Sequence, residues 1–344
     1  MKRILVVRND KIGDFMLAWP SFAMLKASMP QARIYALVPH YTAALAEMCP
    51  WIDEVVIDPG EHASKDAQQQ LQRTLRGLGF DAAICLFSTS RIAWMLWRAH
   101  IPYRLAPATK WAQILFNHRL AQRRSRSQKP ESEYNLDLIR HFLNSMQINI
   151  VEPQAPYLSF AIEDIAKQRE YLIQHYGLNP ALKWGFIHAG SGGSARNLNL
   201  QQYADFAFEL QNQHKIQWVL TAGPTEQAYA KELEQLIARD GGDVVLLGSD
   251  ATLTQFVHIL SCADLFVAGS TGPLHIAGAL DIPTIGFFPS RRSATPLRWQ
   301  PLNRQGRHLA FCPPAGEETQ ENMQLIDPRV AAQSASSWLS GLGF

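Results

Sequence analysis

Residues 184–212 read WGFIHAGSGGSARNLNLQQYADFAFELQN, and this stretch shows the unit from which the fold is built. The apolar run Trp184–His188 predicts a buried strand. Small residues follow it, and the apolar side chains of Leu200–Asn212 then recur at helical spacing. A buried strand, a short loop and an amphipathic helix in that order predict one step of a parallel sheet with right-handed crossovers.

The same alternation of strand and helix runs through both halves of the chain. Further strands are predicted at Arg3–Val7, Arg33–Val38, Glu54–Ile57, Ala82–Phe87, Ile216–Thr221, Val244–Leu247, Leu265–Ala268 and Thr284–Phe288. Further helices are predicted at Asp14–Ser28, Tyr41–Met48, Lys65–Leu78, Arg91–His100, Glu226–Arg239, Leu253–Ser261 and Pro273–Leu280. The sequence therefore predicts an α/β protein with two Rossmann-like domains, whose parallel sheets face a central cleft.

A polar stretch with Pro153 and Pro156 separates the two halves. We predict an N-terminal domain over residues 1–155, a linker over 156–180 and a C-terminal domain over 181–327. The last segment, 328–344, is predicted to form a helix that packs back toward the N-terminal domain. Each domain is long enough to bury a core of its own.

Composition excludes several classes of protein. Hydrophobic residues make up 47% of the 344 residues and charged residues 18%, which is incompatible with a disordered chain. There is no apolar run long enough for a membrane span and no apolar segment typical of a signal peptide. Four widely spaced cysteines predict neither a disulfide scaffold nor a cysteine zinc site. We expect a soluble, cytoplasmic protein.

Charge is distributed unevenly, although 32 basic and 30 acidic residues nearly balance. Between Asp81 and Glu131 there is no acidic residue, and nine Lys and Arg side chains lie there. A second acid-free stretch, Ile282–Gly316, holds five arginines. A charge run is often only a solvated face, but one in each half favours anionic ligands. The near-neutral total argues against nucleic acid as the partner.

The first strand runs into the loop RNDKIGD at residues 8–14. Loops after the carboxyl ends of parallel strands bind ligands, so this loop is predicted to point into the cleft. Asp14 begins the next helix and is either its N-cap or a general base that faces a substrate hydroxyl. Asp10 competes for the role of base, or pairs with Arg8.

Two loops of the second half predict a phosphate site. The loop AGSGGSARN at residues 189–197 leaves backbone N–H groups free to approach an anion, with Arg196 as a fixed cation. The loop AGSTGPLH at residues 268–275 starts a helix, with Ser or Thr as its cap and Pro273 in the first turn. His275 is either a buried core histidine or a ligand contact. Neither loop brings ligands for a metal, and the sequence predicts no metal ion and no other cofactor.

Together, these motifs resemble glycosyltransferase family 9, the ADP-heptose:lipopolysaccharide heptosyltransferases. The resemblance rests on Arg8-x-Asp10-x-x-Gly13-Asp14, on the loop from His188 to Asn197 and on Ser270-Thr271-Gly272-Pro273-x-His275. It implies a GT-B architecture with an acceptor-binding N-terminal domain and a nucleotide-sugar-binding C-terminal domain. It also implies metal-independent, inverting transfer of a sugar onto the lipopolysaccharide inner core, at the cytoplasmic face of the inner membrane.

By position, the resemblance assigns Asp14 as the catalytic base. It assigns donor and nucleotide binding to a set of loop residues, which are Gly190, Ser191, Gly192, Arg196, Ser270, Thr271, Gly272 and His275. Glu226 is a candidate for the ribose contact. The family usually has Lys at the position of Arg196 and often Asp at that of Ser270. The donor that the resemblance implies, ADP-heptose, therefore stays open at this point.

In the acceptor domain, one set of residues is predicted to bind the anionic lipopolysaccharide core, and it consists of Asp10, Arg91, Arg104, Arg119 and Arg124. Trp94, Trp97 and Trp111 lie among these cations and are candidates for contact with sugar or lipid. Core packing is nevertheless expected for at least two of the three. The resemblance leaves room for peripheral membrane association.

Two other functions stay open from the sequence. A nucleotide-sugar epimerase of similar two-domain fold would isomerise its donor without any acceptor. A non-catalytic, lipopolysaccharide-binding relative would lack a working donor site. The departures at Arg196 and Ser270 keep the second alternative open.

Overall fold

The computed structural model describes residues 2–108, 111–193 and 196–344. Lys110, Ser194 and Ala195, which belong to the predicted cationic and glycine-rich stretches, lie outside these described residues. The chain divides into two compact units. The first contains the residues up to Arg124 together with Gln128–Gln154, and the second contains Ser125–Ser127 and Ala155–Phe344.

The first unit is built on a six-stranded parallel sheet. Its strands are β1 (Arg3–Val7), β2 (Arg33–Pro39), β3 (Glu54–Asp58), β4 (Ala82–Cys85), β5 (Tyr103–Pro107) and β6 (His118–Leu120). Its helices are α1 (Ile12–Met16), α2 (Trp19–Ser28), α3 (Ala43–Met48), α4 (Lys65–Leu78), α5 (Ser90–Arg98) and α6 (Glu131–Ser145). The strands lie in the order β3-β2-β1-β4-β5-β6, and each neighbouring pair is parallel.

The second unit repeats this plan with a second six-stranded parallel sheet. Its strands are β7 (Lys183–His188), β8 (Ile216–Leu220), β9 (Val244–Leu246), β10 (Leu265–Gly269), β11 (Thr284–Phe287) and β12 (His308–Phe311). Its helices are α7 (Ile162–Tyr176), α8 (Leu200–Gln211), α9 (Gln227–Arg239), α10 (Leu253–Leu260), α11 (Gly272–Ala279) and α12 (Pro328–Gly341). The order is β12-β11-β10-β7-β8-β9, so the predicted α/β fold with two parallel sheets is confirmed.

Chain order reverses once in each sheet, between β1 and β4 and between β7 and β10. Val7 at the end of β1 pairs with Cys85, and His188 at the end of β7 pairs with Ala268. The loops that follow these strands therefore begin side by side. Such a reversal opens a crevice at the carboxyl ends of the strands, which is where ligands bind in open α/β sheets.

The helix predicted over Asp14–Ser28 is two helices, α1 and α2. Pro20 lies in the first turn of α2, where its missing N–H costs nothing, but it could not continue an uninterrupted helix. The short α1 therefore ends at Met16, and the chain turns before α2 begins. This break separates the helix that carries Asp14 from the helix that packs against α6.

Two segments outside the predicted domain cores belong to the second unit. The predicted linker, 156–180, contains α7, whose Arg169 donates to the carbonyl of Cys262 at 2.7 Å and covers the Trp184 ring at 3.8 Å. The terminal helix α12, predicted to pack toward the N-terminal domain, packs on α8 and buries Leu339 in the core of the second unit. An apolar helix face is buried against the nearest apolar surface, which here belongs to the same unit. Among the described residues, no helix is long and apolar enough to cross a membrane.

Candidate active site

A buried arginine holds the loop that follows β1. Arg8 comes directly after the strand and is 2% exposed. Its guanidinium donates through Nε to Asp10 Oδ1 at 2.8 Å and through Nη2 to Asp14 Oδ1 at 2.5 Å. Its Nη1 reaches α6, where it donates to Glu131 Oε1 at 3.0 Å and to Asn135 Oδ1 at 3.2 Å. One cation therefore fixes three carboxylates from two distant parts of the chain.

Burial and opposite charge act against each other in this Arg8 cluster. Burial alone would lower the pKa of the Arg8 guanidinium, but the three carboxylates raise it above its ordinary value, so the cation is permanent. Burial raises the pKa of Asp10 to about 6, against the opposing effect of Arg8 and with the help of the Asp14 charge. Asp10 therefore takes up a proton at a higher pH than an ordinary aspartate does.

Asp14 lies in the first turn of α1, as the sequence predicts. Lys11 occupies the N-cap position of that helix, so the interpretation of Asp14 as the N-cap is wrong. The Asp14 side chain is 16% exposed and binds Arg8 through Oδ1. Among the described residues its Oδ2 accepts no hydrogen bond, and this oxygen is therefore available to a substrate hydroxyl.

A second buried carboxylate supports the same loop from β3. Asn9 and Arg91 both donate to Asp58 Oδ2, and the N–H of Gly60 donates to its Oδ1 at 3.0 Å. Burial raises the pKa of Asp58, but these hydrogen bonds more than offset it and hold the pKa below its usual value. The charge of Arg91, predicted to contact the acceptor, is thus directed at a carboxylate of the chain itself.

The other predicted acceptor residues divide between the Arg8 cluster and the scaffold. Arg124 donates to Glu131 Oε1 at 2.6 Å and so joins the cluster. Arg104 donates to two backbone carbonyl groups of neighbouring loops, which gives it a structural role. Arg119 lies exposed on the edge strand β6. The structure therefore brings Arg124 together with Asp10 and Asp14, and places Arg104 and Arg119 elsewhere.

In the second unit, the glycine-rich loop folds around a carboxylate of the chain itself. Glu226, the residue before α9, accepts from the N–H of Gly192 at 2.7 Å and from the N–H of Gly223 at 3.0 Å. Its Oε2 lies 3.4 Å from His188 Nε2. A Cβ atom at position 190 would collide with Glu226 Oε2, so any other residue there would displace this carboxylate.

The surroundings of Glu226 favour its charged form. The hydrogen bond from His188, together with those from Gly192 and Gly223, outweighs burial and lowers the pKa of Glu226 to about 2. The loop that the sequence predicts to bind a phosphate thus holds an internal anion. Backbone N–H groups that stabilise a carboxylate to this extent are equally suited to a phosphate oxygen.

The helix start after β10 is buried and has unsatisfied polar atoms. Ser270 is half-buried, Thr271 is the N-cap of α11 and Gly272 is the first helical residue. Among the described residues, Thr271 Oγ1 and His275 Nδ1 are buried without a hydrogen-bond partner. Burial, helped by the nearby His308, lowers the pKa of His275 to about 3. His275 is therefore neutral near pH 7, and the positive end of this site is the helix N-terminus.

Arg196 lies at the surface beyond the glycine-rich loop, in which Ser191 is half-buried. Its side chain is 69% exposed, and its Nη2 lies 3.7 Å from Glu321 Oε2. Arg291 lies 2.8 Å from the other oxygen of Glu321. Two arginines therefore share one carboxylate. Arg291 belongs to the cationic stretch Ile282–Gly316, which the sequence associates with an anionic ligand, whereas no sequence pattern indicated Glu321.

Sequence reasoning also missed the partners that complete the Arg8 cluster. Glu131 and Asn135 lie on α6, which was not predicted although its buried residues Tyr134, Leu138 and Phe142 recur at helical spacing. That periodicity could have revealed the helix. The contact with Arg8 could not have been read from the sequence, because it joins residues far apart along the chain.

The tryptophans of α5 are not in the core. Trp94 is 49% exposed and Trp97 is 45% exposed, so the expectation that at least two of the three tryptophans pack in the core is wrong. The reason is that α5 buries its other face, with Ile92, Met95 and Leu96, against the sheet. The side chain of Trp111 lies outside the described residues.

The two loop regions have complementary chemistry. The loop after β1 gathers carboxylates around a cation and presents one free carboxylate oxygen, which suits it to accept a proton. The loops after β7 and β10 present backbone N–H groups, a helix start and arginines, which suits them to hold an anion. Within the described ranges, no group of three His, Cys, Asp or Glu side chains is placed to hold a metal ion.

Two sequence comparisons agree with this chemistry. Residues 68–324 match the family model of glycosyltransferase family 9 (heptosyltransferase). A Haemophilus influenzae protein, whose name provisionally calls it a glycosyltransferase, is 52% identical over 326 residues, or 95% of this chain and 93% of that protein. Lipopolysaccharide heptosyltransferase 2 of Salmonella typhimurium is 23% identical over 311 residues, or 89% of this chain and 87% of the relative.

A solved structure shares the whole architecture. The ADP-heptose lipopolysaccharide heptosyltransferase II of Escherichia coli aligns over 100% of both chains with a TM-score of 0.78 and 19% identity. At this level of identity the likeness concerns the fold alone. The GT-B fold that the resemblance implies, with two parallel sheets, is therefore also the fold of a solved heptosyltransferase.

Proposed function

Because the chain belongs to glycosyltransferase family 9, we propose that it transfers heptose from ADP-heptose to the lipopolysaccharide inner core. Membership makes it a glycosyltransferase. The substrates are proposed from the names of similar proteins. The Salmonella relative is named a lipopolysaccharide heptosyltransferase, and the E. coli protein of the same fold is named an ADP-heptose heptosyltransferase. The observation that carries the proposal is the Asp14 carboxylate, fixed by Arg8 through one oxygen and open at the other.

On the acceptor side, Asp14 takes the proton from an acceptor hydroxyl through its open oxygen, Oδ2. The hydroxyl oxygen attacks the anomeric carbon of the donor, the bond from that carbon to the diphosphate breaks, and the configuration inverts. Arg8 holds the Asp14 carboxylate in place through its other oxygen, Oδ1. A pKa of about 6 would also allow Asp10 to act as a base, so we choose Asp14 because it matches the position of the base in the family motif. We propose that Asp10 orders the loop and lines the acceptor site.

On the donor side, the leaving diphosphate gains negative charge and needs positive partners. We propose that the N–H groups of the glycine-rich loop, the N-terminus of α11 and Arg196 supply them without a metal ion. The buried Thr271 hydroxyl, which has no partner among the described residues, would bind a phosphate oxygen. Glu226 would receive the ribose hydroxyls, since its carboxylate stays charged and can accept further hydrogen bonds.

The proposed acceptor sets the place of the reaction. An inner-core acceptor is joined to a lipid, whereas the donor is a soluble nucleotide. We therefore propose that the enzyme works at the cytoplasmic face of the inner membrane. Arg124, which reaches the Arg8 cluster through Glu131, is the cation best placed to meet acceptor phosphates or carboxylates.

The test is transfer by Asp14→Asn and Asp14→Ala, with ADP-heptose as donor and heptose-deficient core lipopolysaccharide as acceptor. Loss of a general base costs about 10²–10⁴-fold in rate, so turnover should fall by that amount. ADP binding, followed by calorimetry, should stay unchanged because Asp14 lies outside the donor unit. Asp66→Asn, a substitution of an exposed aspartate on α4, serves as the control and should leave both quantities unchanged.

Unchanged turnover in Asp14→Asn would remove Asp14 from the role of base. Wild-type protein incubated with ADP-heptose alone tests the epimerase alternative, because an isomerised sugar without acceptor would contradict transfer. No binding of ADP by the wild type would favour the non-catalytic alternative.

A further inference from the structure

Two tryptophans form an exposed aromatic surface on α5. Trp94 and Trp97 lie one helical turn apart, and their rings pack on each other with centroids 5.1 Å apart. Exposing one large aromatic ring is common, but two adjacent rings that are each about half exposed leave a sizeable apolar area in water. Nothing in the catalytic proposal uses these side chains.

One arginine lies on the tryptophan pair, and a second projects from the same side of the sheet. Arg98, the last residue of α5, lies over the Trp94 ring at 5.9 Å. Arg119 of β6 pairs with Ala106 of β5, and Ala106 lies in the same buried cluster as Ile92 of α5. Paired residues of neighbouring strands point to the same face of a sheet, so Arg119 projects on the side where α5 packs.

All charged side chains in the stretch of chain that contains α5 and β6 are positive. The chain from 82 to 130, which contains α5 and β6, carries no acidic residue. Ile114, in the short turn that packs against α5, is also largely exposed. Apolar side chains and positive charge are therefore presented together on one face of the first unit. We define the aromatic patch as Trp94, Trp97, Arg98 and Arg119.

The two tryptophans lie along α5, beyond its first turn. Helix α5 begins at Ser90, near the carboxyl ends of the strands, and runs away from that edge. With about 1.5 Å of rise per residue, Trp94 and Trp97 lie roughly 6 and 10 Å along the helix from its start. A sugar held at Asp14 would not need these rings, which points to a different ligand.

We propose that the aromatic patch is a docking surface for an anionic lipid bilayer. Tryptophan favours the boundary between headgroups and acyl chains, because its ring is apolar and its N–H is polar. Arginines beside it are attracted to anionic headgroups. A second copy of the chain fits less well, since a symmetric contact would bring two acid-free cationic surfaces together. Docking would bring the enzyme to a lipid-linked acceptor. The binding of this surface to lipid does not depend on which sugar that acceptor carries.

The experiment is sedimentation of the full-length protein with vesicles of phosphatidylglycerol and phosphatidylethanolamine, and with vesicles of phosphatidylcholine alone. The wild type should bind the anionic vesicles more strongly, and the binding should weaken as salt is added. The double variant Trp94→Ala/Trp97→Ala should bind the anionic vesicles at least about tenfold less well. Tyr171→Ala removes a similarly exposed aromatic ring from α7 of the second unit and should bind as the wild type does.

Several results would overturn the proposal. They are absent binding of the wild type, equal binding of the double variant, or a dimer in solution that the double variant abolishes. Thermal unfolding of the double variant should match the wild type, because both rings are exposed. Asp14→Asn should bind vesicles normally, and the double variant should still glycosylate a delipidated acceptor. The docking surface and the catalytic proposal can therefore fail separately.

Discussion

The first and second units use one topology but place opposite charges at the same point of it. At the reversal between β1 and β4, a buried cation, Arg8, is surrounded by carboxylates. In the second unit, Glu226 comes from the loop between β8 and α9, and its carboxylate reaches the end of β7, beside the reversal with β10. Backbone N–H groups and His188 surround it there. The topology of the parallel sheet therefore determines where a site lies, while the side chains determine whether its central charge is positive or negative. This contrast matches the proposed roles, in which the first unit takes up a proton and the second holds the diphosphate.

The largest expected effect comes from removing the central cation of the first unit. Arg8→Met leaves the buried Glu131 and the half-buried Asp10 and Asp14 without the cation that they share. Breaking a buried ion pair such as that of Arg8 with Glu131 costs about 3–5 kcal/mol. Denaturant unfolding at neutral pH measures this loss. Arg8→Lys should recover part of the lost stability, because it restores the charge but not the several directed N–H groups of the guanidinium.

The control for that variant is Arg119→Met, which changes an exposed arginine and should shift the free energy of unfolding by less than about 0.5 kcal/mol. Equal stabilities for Arg8→Met and the wild type would show that the carboxylates do not need Arg8. The site of the first unit could then no longer be described as one organised by a central cation, in contrast to the site around Glu226.

The corresponding change in the second unit is Glu226→Gln. The pKa of Glu226 is lowered from 4.5 to about 2, so its stabilising charge is fully present above pH 4.5 and is lost as the pH falls toward 2. The variant should lose about 2 kcal/mol of unfolding free energy at neutral pH and should lack the wild type's further loss between pH 4.5 and 2. Glu232→Gln, an exposed change on α9, is the matched control. Identical acid unfolding of Glu226→Gln and the wild type would contradict the assignment.

Asp10→Asn should show the opposite dependence on pH. The pKa of Asp10 is raised from 3.8 to about 6, so burying its charge destabilises the fold increasingly as the pH rises from 3.8 to 6. Relative to the wild type, the variant should gain about 1–2 kcal/mol of stability between pH 4 and pH 7. Chemical unfolding at the two pH values checks the sign. If the variant instead lost stability relative to the wild type between pH 4 and pH 7, the charge of Arg8, and not burial, would dominate the pKa of Asp10.

The smallest effect concerns Arg196, at the exposed edge of the proposed donor site. Arg196→Ala removes one solvent-screened cation from a diphosphate, so ADP affinity should fall by about tenfold or less, with no change in thermal unfolding. Calorimetry with ADP measures this. Arg329→Ala, an equally exposed arginine that also faces a glutamate, is the control and should leave ADP affinity unchanged. Equal ADP affinity in Arg196→Ala and the wild type would contradict the phosphate assignment.

The sequence was informative wherever local pattern decides structure. Alternating apolar strands and amphipathic helices predicted both sheets, and the loops after β1, β7 and β10 could be located because ligand loops follow strand ends. It was less informative at Arg91 and Arg104. Those side chains were predicted to contact a ligand, yet they are directed at Asp58 and at backbone carbonyl groups. An arginine in an acid-free stretch can still meet an acid from another strand.

The sequence by itself determined the α/β class, the parallel sheets and the loops that carry Asp14 and Glu226, because periodicity and turn residues act over a few neighbouring positions. Only the tertiary structure decided the partners of those side chains. It brought Glu131 of α6 to Arg8, closed the glycine-rich loop on Glu226 and turned Trp94 and Trp97 outward. The physical reason is that burial and charge pairing depend on residues far apart in the chain, and packing alone brings these together.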